Sequence, residues 1–366
     1  MRTFIRKLQQ IDWWVVVVLA LIASIGAAVL FSAAEGSFDP WAWRHIMRFS
    51  VCVAILACVA IVDIRYWRSY AYILYGVSLI LLIGVEVMGS IGMGAQRWID
   101  LYVVVLQPSE IMKITLLMAL ARYFHGVSPQ EMNKPKTLAF PLFLTLFPTL
   151  LVLRQPDLGT AMLLMVAGFS IFFAAGLSWW IIGGGLALVA AAMPVLWSMM
   201  YAYQRERVLT FLDPGRDALG SGYNILQSNI ALGSGGLWGK GFGHGSQAHL
   251  NFLPEKQTDF IFAMFCEEFG VFGGVTLLSL YTVLILYGYK VSFMSRSAFG
   301  RFLGIGLTTL FFLYVFVNTA MVMGMVPVVG VPLPLVSYGG TAMLTLMMGL
   351  GLLISIAIYR DVRMGR

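Results

Sequence analysis

Apolar residues along this chain come in runs of about twenty, separated by short segments where the charges gather. A helix of about 20 residues crosses the hydrocarbon core of a bilayer, so each run reads as a candidate span. Ten such segments stand near 13–33, 45–62, 69–88, 108–124, 137–153, 158–175, 178–200, 262–289, 301–324 and 338–359. The pattern predicts an all-α integral membrane protein of about ten transmembrane helices, organised as a single polytopic domain over residues 1–366. Two stretches break the pattern. One is a long Gly-rich loop, about 201–261, punctuated by Pro214 and Pro254. The other runs from Met325 to Gly340 and carries Pro327, Pro332, Pro334 and a Gly pair. Such a segment cannot form a regular spanning helix. At membrane depth it must be buried in protein or line a wet cavity, so it reads as re-entrant-like. No internal repeat is visible, which argues against a transporter built on inverted halves.

Composition strengthens this reading. Of the residues, 60% are apolar and 11% charged, with a mean hydropathy of +0.85. Soluble domains carry about 25% charged residues, so lipid must cover most of this surface. The formal charge of +7 is not a nucleic-acid footprint, because the basic residues sit at helix ends without interleaved aromatics. They set topology instead. With the N-terminus inside, the inner segments hold Arg2, Arg6, Lys7, Arg65, Arg68, Arg122, Lys134, Lys136, Lys290, Arg296, Arg301, Arg360, Arg363 and Arg366. The short outer loops hold only Arg44, Arg48, Arg97 and Arg154. The positive-inside rule therefore places both termini in the cytoplasm and the long loop outside. Cys52, Cys58 and Cys266 all lie in apolar segments and imply neither a disulfide framework nor a metal site. The first apolar run is too long for a cleaved signal and has no small-residue cleavage motif, so it is expected to stay as a span.

Candidate chemistry gathers on the outer side. The fourth span opens Gln107-Pro108-Ser109-Glu110-Ile111-Met112-Lys113. Pro108 suits the first helical position. Glu110 and Lys113, three apart, share a face and can pair. Ionisable groups inside a span usually mark a functional path, although a buried pair that fixes packing is the plainer alternative. Asp259 stands where the eighth span begins, after Leu253-Pro254-Glu255-Lys256-Gln257-Thr258. It is either an N-cap or a carboxylate placed as a general base. Asp157 reads first as the cap of the sixth helix. Trp98 fits an interfacial belt, and Arg48 either snorkels or binds. Gly233 to Gly241 resembles a phosphate loop, but no Ser or Thr follows Lys240 and no strand is expected before it. His244 and His249 lack metal-ligand company. Asn318, Glu267 and Glu268 read as interhelical hydrogen-bonding groups.

The stretches GAQRWIDL, QPSEIMK, QPDLGT, YQRERVLTFLDP, SGYNILQSNIALGSGGLWGKG, LPEKQTDFIFA and PVVGVPLPLVSYGG resemble, in order and over nearly the whole chain, the SEDS family (shape, elongation, division and sporulation). The short N-terminus and GKGFGHGSQAHLNFLPE are similar to the elongation branch rather than the division branch. The resemblance implies a peptidoglycan glycosyltransferase that polymerises lipid II on the outer face of the bacterial cytoplasmic membrane during cell elongation. Inversion at the donor sugar is expected. The implied partners are a class B penicillin-binding protein and other membrane proteins of the elongation complex, with no nucleic acid. Asp259 matches the family's essential aspartate. Glu110, Lys113, Asp157 and the Arg97-Trp98 pair match other functional positions. With Arg48, Gln107 and Glu255 these make the expected substrate-binding set. Gln257 stands where many relatives have His, so a histidine there is not required as base or relay. No nucleotide or redox cofactor is implied, and a divalent cation (Mg or Mn) beside the diphosphate is left open. A lipid II flippase and a non-catalytic scaffold are the competing readings.

Overall fold

The computed structural model describes residues 7, 9–88, 90–92, 95–100, 105–200, 202–213, 215, 221–250, 252 and 255–365. In chain order the helices are α1 (Trp13–Ala33), α2 (Ala42–Ile61), α3 (Ile64–Met88), α4 (Pro108–Gly126), α5 (Pro135–Arg154), α6 (Leu158–Ala175), α7 (Trp179–Met199), α8 (Ala202–Leu212), α9 (Ser221–Ser234), α10 (Ser246–His249), α11 (Ile261–Met294), α12 (Ala298–Val322) and α13 (Gly340–Ile358). Between α3 and α4 lie β1 (Ser90–Gly92), β2 (Ala95–Asp100) and β3 (Val105–Leu106), a small antiparallel sheet in that order. Asp100 stands opposite Val105 and Gly92 opposite Ala95.

Each apolar run coincides with a helix, and among the described residues eight helices are long and apolar enough to cross a membrane. The expected ten is therefore approximate. Helix α4 carries Glu110, Lys113 and Arg122, which interrupt its apolar run, and the apolar part of α7 (Trp179–Val195) is short. Some boundaries move for local reasons. Helix α3 starts at Ile64 because Asp63 accepts from Arg65 N at 2.9 Å and pairs with the Arg65 guanidinium at 2.8 Å. That places charged residues in its first turn, where an apolar window does not look. The 201–261 stretch contains α8, α9 and α10 rather than running as loop.

Helix α12 is the central post. It is the most buried of those eight, 78% of its apolar window being inside the protein, and it packs on α4, α6, α11 and α13. Helix α13 lies against α2, and α3 against α4. Helix α7 stands at the periphery, with Trp180 90% exposed. The basic inner segments meet at one end. Arg68 Nη1 donates to the Gly365 carbonyl at 2.8 Å, Arg122 to Ser69 O at 2.6 Å, and Arg296 N to Arg360 O at 2.9 Å. The chain termini and the expected inner loops thus share one end, and the polar motifs share the other.

In lipid every freed backbone group needs an internal partner, and two irregular helices show how it is found. Helix α5 contains Pro141 and Pro148, each of which removes the N–H that would bond four residues back. The orphaned carbonyls are Thr137 and Leu144. Tyr123 Oη donates to the first at 2.7 Å and Tyr75 Oη to the second at 2.9 Å. Helix α11 breaks at Gly270 (φ 67°). The break frees the Glu267 and Glu268 carbonyls and the Val271 and Phe272 amides. The glycine-rich turn 235–241 plugs it: Lys240 N donates to Glu267 O and Gly241 N to Glu268 O, both at 3.0 Å, and Val271 N and Phe272 N donate to Gly236 O and Leu237 O at 3.0 and 3.2 Å. Only glycine permits this approach. A Cβ at Gly239 would fall on the Glu268 carbonyl, and one at Gly235 on the Cys266 carbonyl. The turn that looked phosphate-friendly in sequence is a helix plug. Glu267, fully buried, accepts Lys240 Nζ at 2.7 Å and Gln247 N at 3.1 Å, and Glu268 accepts from Ser32 Oγ of α1.

Candidate functional site

Two polar centres lie toward the end away from the termini. The first is the start of α4. Gln107 is its N-cap in an extended conformation, with Pro108 in the first turn, where no N–H is missed. This sets Glu110 and Lys113 on one face. Lys113 Nζ donates to Glu110 Oε1 at 2.7 Å and to Tyr314 Oη of α12. Tyr314 Oη donates to Glu110 Oε2 at 2.7 Å, and the ammonium also lies 4.5 Å from the Tyr314 ring centroid. Lys113 is 1% exposed and Glu110 5%. The pairing read from the spacing is present, with a tyrosine that closes it into a triad. Two of the three ammonium donors are used inside the protein. Removing one member of a buried pair typically costs about 3–5 kcal/mol.

The second centre is Asp259. The N-cap of α11 is Phe260, with no side-chain cap hydrogen bond, so Asp259 does not cap that helix. Its backbone is clamped instead. Asn318 Nδ2 of α12 donates to Asp259 O at 3.0 Å and to Val331 O at 2.7 Å. Ser337 Oγ donates to Thr258 O at 2.6 Å, and Tyr338 N to Gln257 O at 2.9 Å. The Pro/Gly-rich segment 325–339 thus holds residues 257–259 in place. Its Val331, Leu333, Leu335 and Val336 are buried, which answers the demand that irregular backbone at this depth be covered. Gly330 (φ 73°) leaves room beside the carboxylate, since a Cβ there would stand 3.4 Å from Asp259 Oδ2. Burial pushes the Asp259 carboxyl up to about 6, the Glu255 carboxylate adds to the rise, and Arg207 on α8 opposes it. Burial also pushes the neighbouring Lys256 ammonium down, with Glu35 opposing.

The two centres are joined by one helix face. Tyr314 and Asn318 stand four apart on α12, so their side chains are neighbours; one closes the Glu110–Lys113 pair and the other holds Asp259. Asp157 joins the same neighbourhood. It is the N-cap of α6 and accepts from Thr160 N at 3.2 Å and Thr160 Oγ1 at 3.0 Å, as the capping reading expected. Gln107 Nε2 also reaches it at 3.4 Å. Gly159, two residues on, packs against Val329 O. Arg48, half-buried, lies with its guanidinium 4.6 Å from the Tyr338 ring centroid, next to Gly340. Glu255 is exposed with φ 54°, accepts Thr258 Oγ1 at 3.0 Å, and faces Asp259 through its charge. Trp98 is half-buried on β2. The Arg97 backbone runs in β2, but its side chain lies outside the described residues, as does that of His249.

Sequence reading missed Tyr314, Ser337 and the pull of Arg207. Tyr314 sits in an all-apolar run, where its hydroxyl is the only signal. Its spacing of four from Asn318 was the available clue.

Comparison with known proteins gives four matches. A family model described as cell cycle protein, covering FtsW, RodA and SpoVE, matches residues 7–362. The peptidoglycan glycosyltransferase MrdB of Escherichia coli K12 is 44% identical over 361 residues, 98% of this chain and 96% of that protein. Among solved structures, a chain from a peptidoglycan synthase complex that coordinates polymerization and crosslinking superposes with a TM-score of 0.83 at 34% identity, covering 96% of this chain and 98% of that one. The rod shape determining protein RodA of Thermus thermophilus superposes with a TM-score of 0.70 at 30% identity, covering 96% and 98%.

Proposed function

This chain belongs to the cell cycle protein family of FtsW, RodA and SpoVE and is a peptidoglycan glycosyltransferase of its elongation branch; on that premise we propose that it polymerises lipid II with inversion, using Asp259 as the general base. The enzyme is a multi-pass membrane protein. The proposed orientation follows the positive-inside rule: a bacterial inner membrane, both termini in the cytoplasm, and Asp259 on the outer side.

One observation carries the reading. Asp259 is a carboxylate that does not cap its helix, is held through its carbonyl by Asn318 while Ser337 and Tyr338 bond the carbonyls of the two residues before it, and is pushed up to about 6 by burial. A base of that strength is still mostly ionised at neutral pH and takes a proton more readily than an ordinary aspartate. The acceptor sugar hydroxyl attacks the anomeric carbon of the donor. The bond to the diphosphate breaks, the polyprenyl diphosphate leaves, and the hydroxyl proton passes to Asp259. A single displacement turns the α-linked diphosphate into a β linkage and needs one base.

The leaving diphosphate needs positive charge. Arg48 is the more open cation, and it is tied to the base through Tyr338, whose amide bonds Gln257 O. Lys113 has one ammonium donor left and holds α4 against α12. Gln107, Asp157, Trp98, Arg97 and Glu255 complete the proposed substrate contacts. Among the described residues no group of three or more His, Cys, Asp or Glu side chains could hold a metal ion. A Mg or Mn ion arriving with the substrate would be held by the diphosphate oxygens. The relative seen in a synthase complex supports a crosslinking partner here, which we take to be a class B penicillin-binding protein within the elongation machinery.

The test is Asp259→Asn in the purified full chain supplied with lipid II. General-base catalysis contributes about 10²–10⁴-fold, so glycan strand formation should fall by that range while insertion and partner binding persist. Polymerisation within a few-fold of wild type removes Asp259 from the chemistry, and lipid II transport without polymer restores the flippase reading.

A further inference from the structure

At the terminus-bearing end, a whole helix length from Asp259, a cavity of about 700 Å³ opens between the start of α1 and the ends of α11 and α13. Its lining is graded along the membrane normal. On α11, Val283, Leu286, Lys290 and Met294 follow one face. At 1.5 Å per residue, Val283 lies about 10 Å deeper than Lys290. The deep part is apolar and open, with Leu286 62% and Val283 42% exposed. The shallow part holds Lys290 and Arg360 beside Asp12, Asp361 and Gln10. The acids are already engaged. Asp12 accepts Tyr287 Oη at 2.7 Å, and Asp361 is shared between Arg296 at 3.3 Å and Arg360 at 3.7 Å. Lys290 has no ion pair among the described residues, and Arg296 joins Lys290 and Arg360 there against the two carboxylates Asp12 and Asp361, so the mouth carries a net positive charge above an apolar trough. Trp14 is fixed as one wall by an edge contact to Tyr287, ring centroids 5.2 Å apart.

We propose that this cavity is a binding site for an anionic phospholipid, its phosphate at Lys290 and Arg360 and an acyl chain along Trp14, Leu286 and Val283. Basic pockets between helices on the cytoplasmic side select anionic headgroups, because the cations meet lipid charge at the interface. A soluble phosphate compound would use the mouth and leave the apolar depth unfilled. The depth is what assigns the ligand to the bilayer.

The test uses the full chain in phosphatidylcholine vesicles doped with acyl-brominated lipid, which quenches nearby tryptophan. Trp14 is isolated as the difference between wild type and Trp14→Phe. Brominated phosphatidylglycerol should quench it at a lower mole fraction than brominated phosphatidylcholine, by about fivefold for each cation that contributes. Lys290→Gln with Arg360→Gln, both at exposed positions, should merge the two curves without changing the melting temperature. Leu286→Phe, which fills the trough, should weaken quenching by both lipids. Equal quenching of wild type by the two lipids overturns the site. So does selectivity that survives the double variant, which assigns it to bulk surface charge, or displacement of the anionic lipid by millimolar inorganic phosphate, which assigns it to a soluble anion.

Discussion

At the scale of single residues, the protein separates a charge that is spent from one that is held in reserve. Glu110, Lys113 and Tyr314 satisfy one another in a dry interior, whereas Asp259 is fixed by its backbone and keeps its carboxylate for a substrate. The two behave differently on titration. Asp259 rises from the ordinary carboxylate range to about 6, so as a base it must lose a proton to work. The polymerisation rate should fall about tenfold per pH unit below 6 and flatten above it, and rate measurements from pH 5 to 8 would show this. The sign for stability is opposite. A carboxyl whose folded value is raised stabilises the fold below the unfolded value, and that stability is lost as pH rises through about 6. Asp259→Asn removes the penalty, so at pH 7.5 the inactive variant should melt at the wild-type temperature or higher. A lower melting temperature would make Asp259 a structural group. The triad gives the converse. Lys113→Met alone leaves Glu110 charged and buried, and should destabilise the fold by about 3–5 kcal/mol. Glu110→Gln with Lys113→Met removes both charges and should recover most of that in thermal melts. If the double variant also recovers polymerisation, Lys113 is a packing residue; if it is folded and inactive, the ammonium serves the diphosphate.

At the scale of elements, irregular helices are tolerated because a specific partner repairs each interruption. Pro148 in α5 costs the bond to Leu144 O, and Tyr75 supplies it from α3. Tyr75→Phe keeps the ring and withdraws the donor, so it should cost about 1–3 kcal/mol, the penalty for an unsatisfied buried polar group. The neighbouring prolines would make α5 the region where amide hydrogen exchange rises first. The break in α11 is repaired by four backbone bonds from the turn 235–241, and α11 begins one residue after Phe260. The plug therefore sets where the helix that follows Asp259 can lie. Gly239 (φ 81°) has no room for a side chain, and Gly239→Ala should reduce both folded yield and polymerisation. A variant of normal activity would show that the plug is not coupled to the site. None of these repairs was visible beforehand. Hydropathy finds a span by its mean, and a tyrosine hydroxyl or a glycine turn changes that mean little.

At the scale of the whole molecule, the parts legible in the sequence are those set by the solvent. Every apolar run became a helix because lipid leaves the backbone no other way to satisfy itself. Lys113 and Glu110 were found because charges in a span are rare, and Asp157 because its cap geometry is local. Asp259 was located while its role was left between cap and base, since the distinction depends on Asn318, Ser337 and Tyr338, distant in sequence. The amphipathic α8 and α9 were read as loop for a related reason: they lie outside any apolar run and carry turn-forming residues around them. The proposed orientation rests on the clustering of basic residues at the terminus-bearing end, and it has a direct consequence. Cys52 and Cys266 are buried and Cys58 is exposed, so a Cys58→Ala background leaves only shielded native cysteines and accepts a single reporter. Leu250, 64% exposed after α10, belongs to the end that carries Asp259. Glu131, with a side chain 54% exposed between α4 and α5, belongs to the end that carries the termini. In intact spheroplasts an impermeant maleimide should label Leu250→Cys, and should label Glu131→Cys only after permeabilisation. The reverse pattern would put Asp259 in the cytoplasm, away from any growing wall, and the proposed polymerisation on the outer face would fail with it.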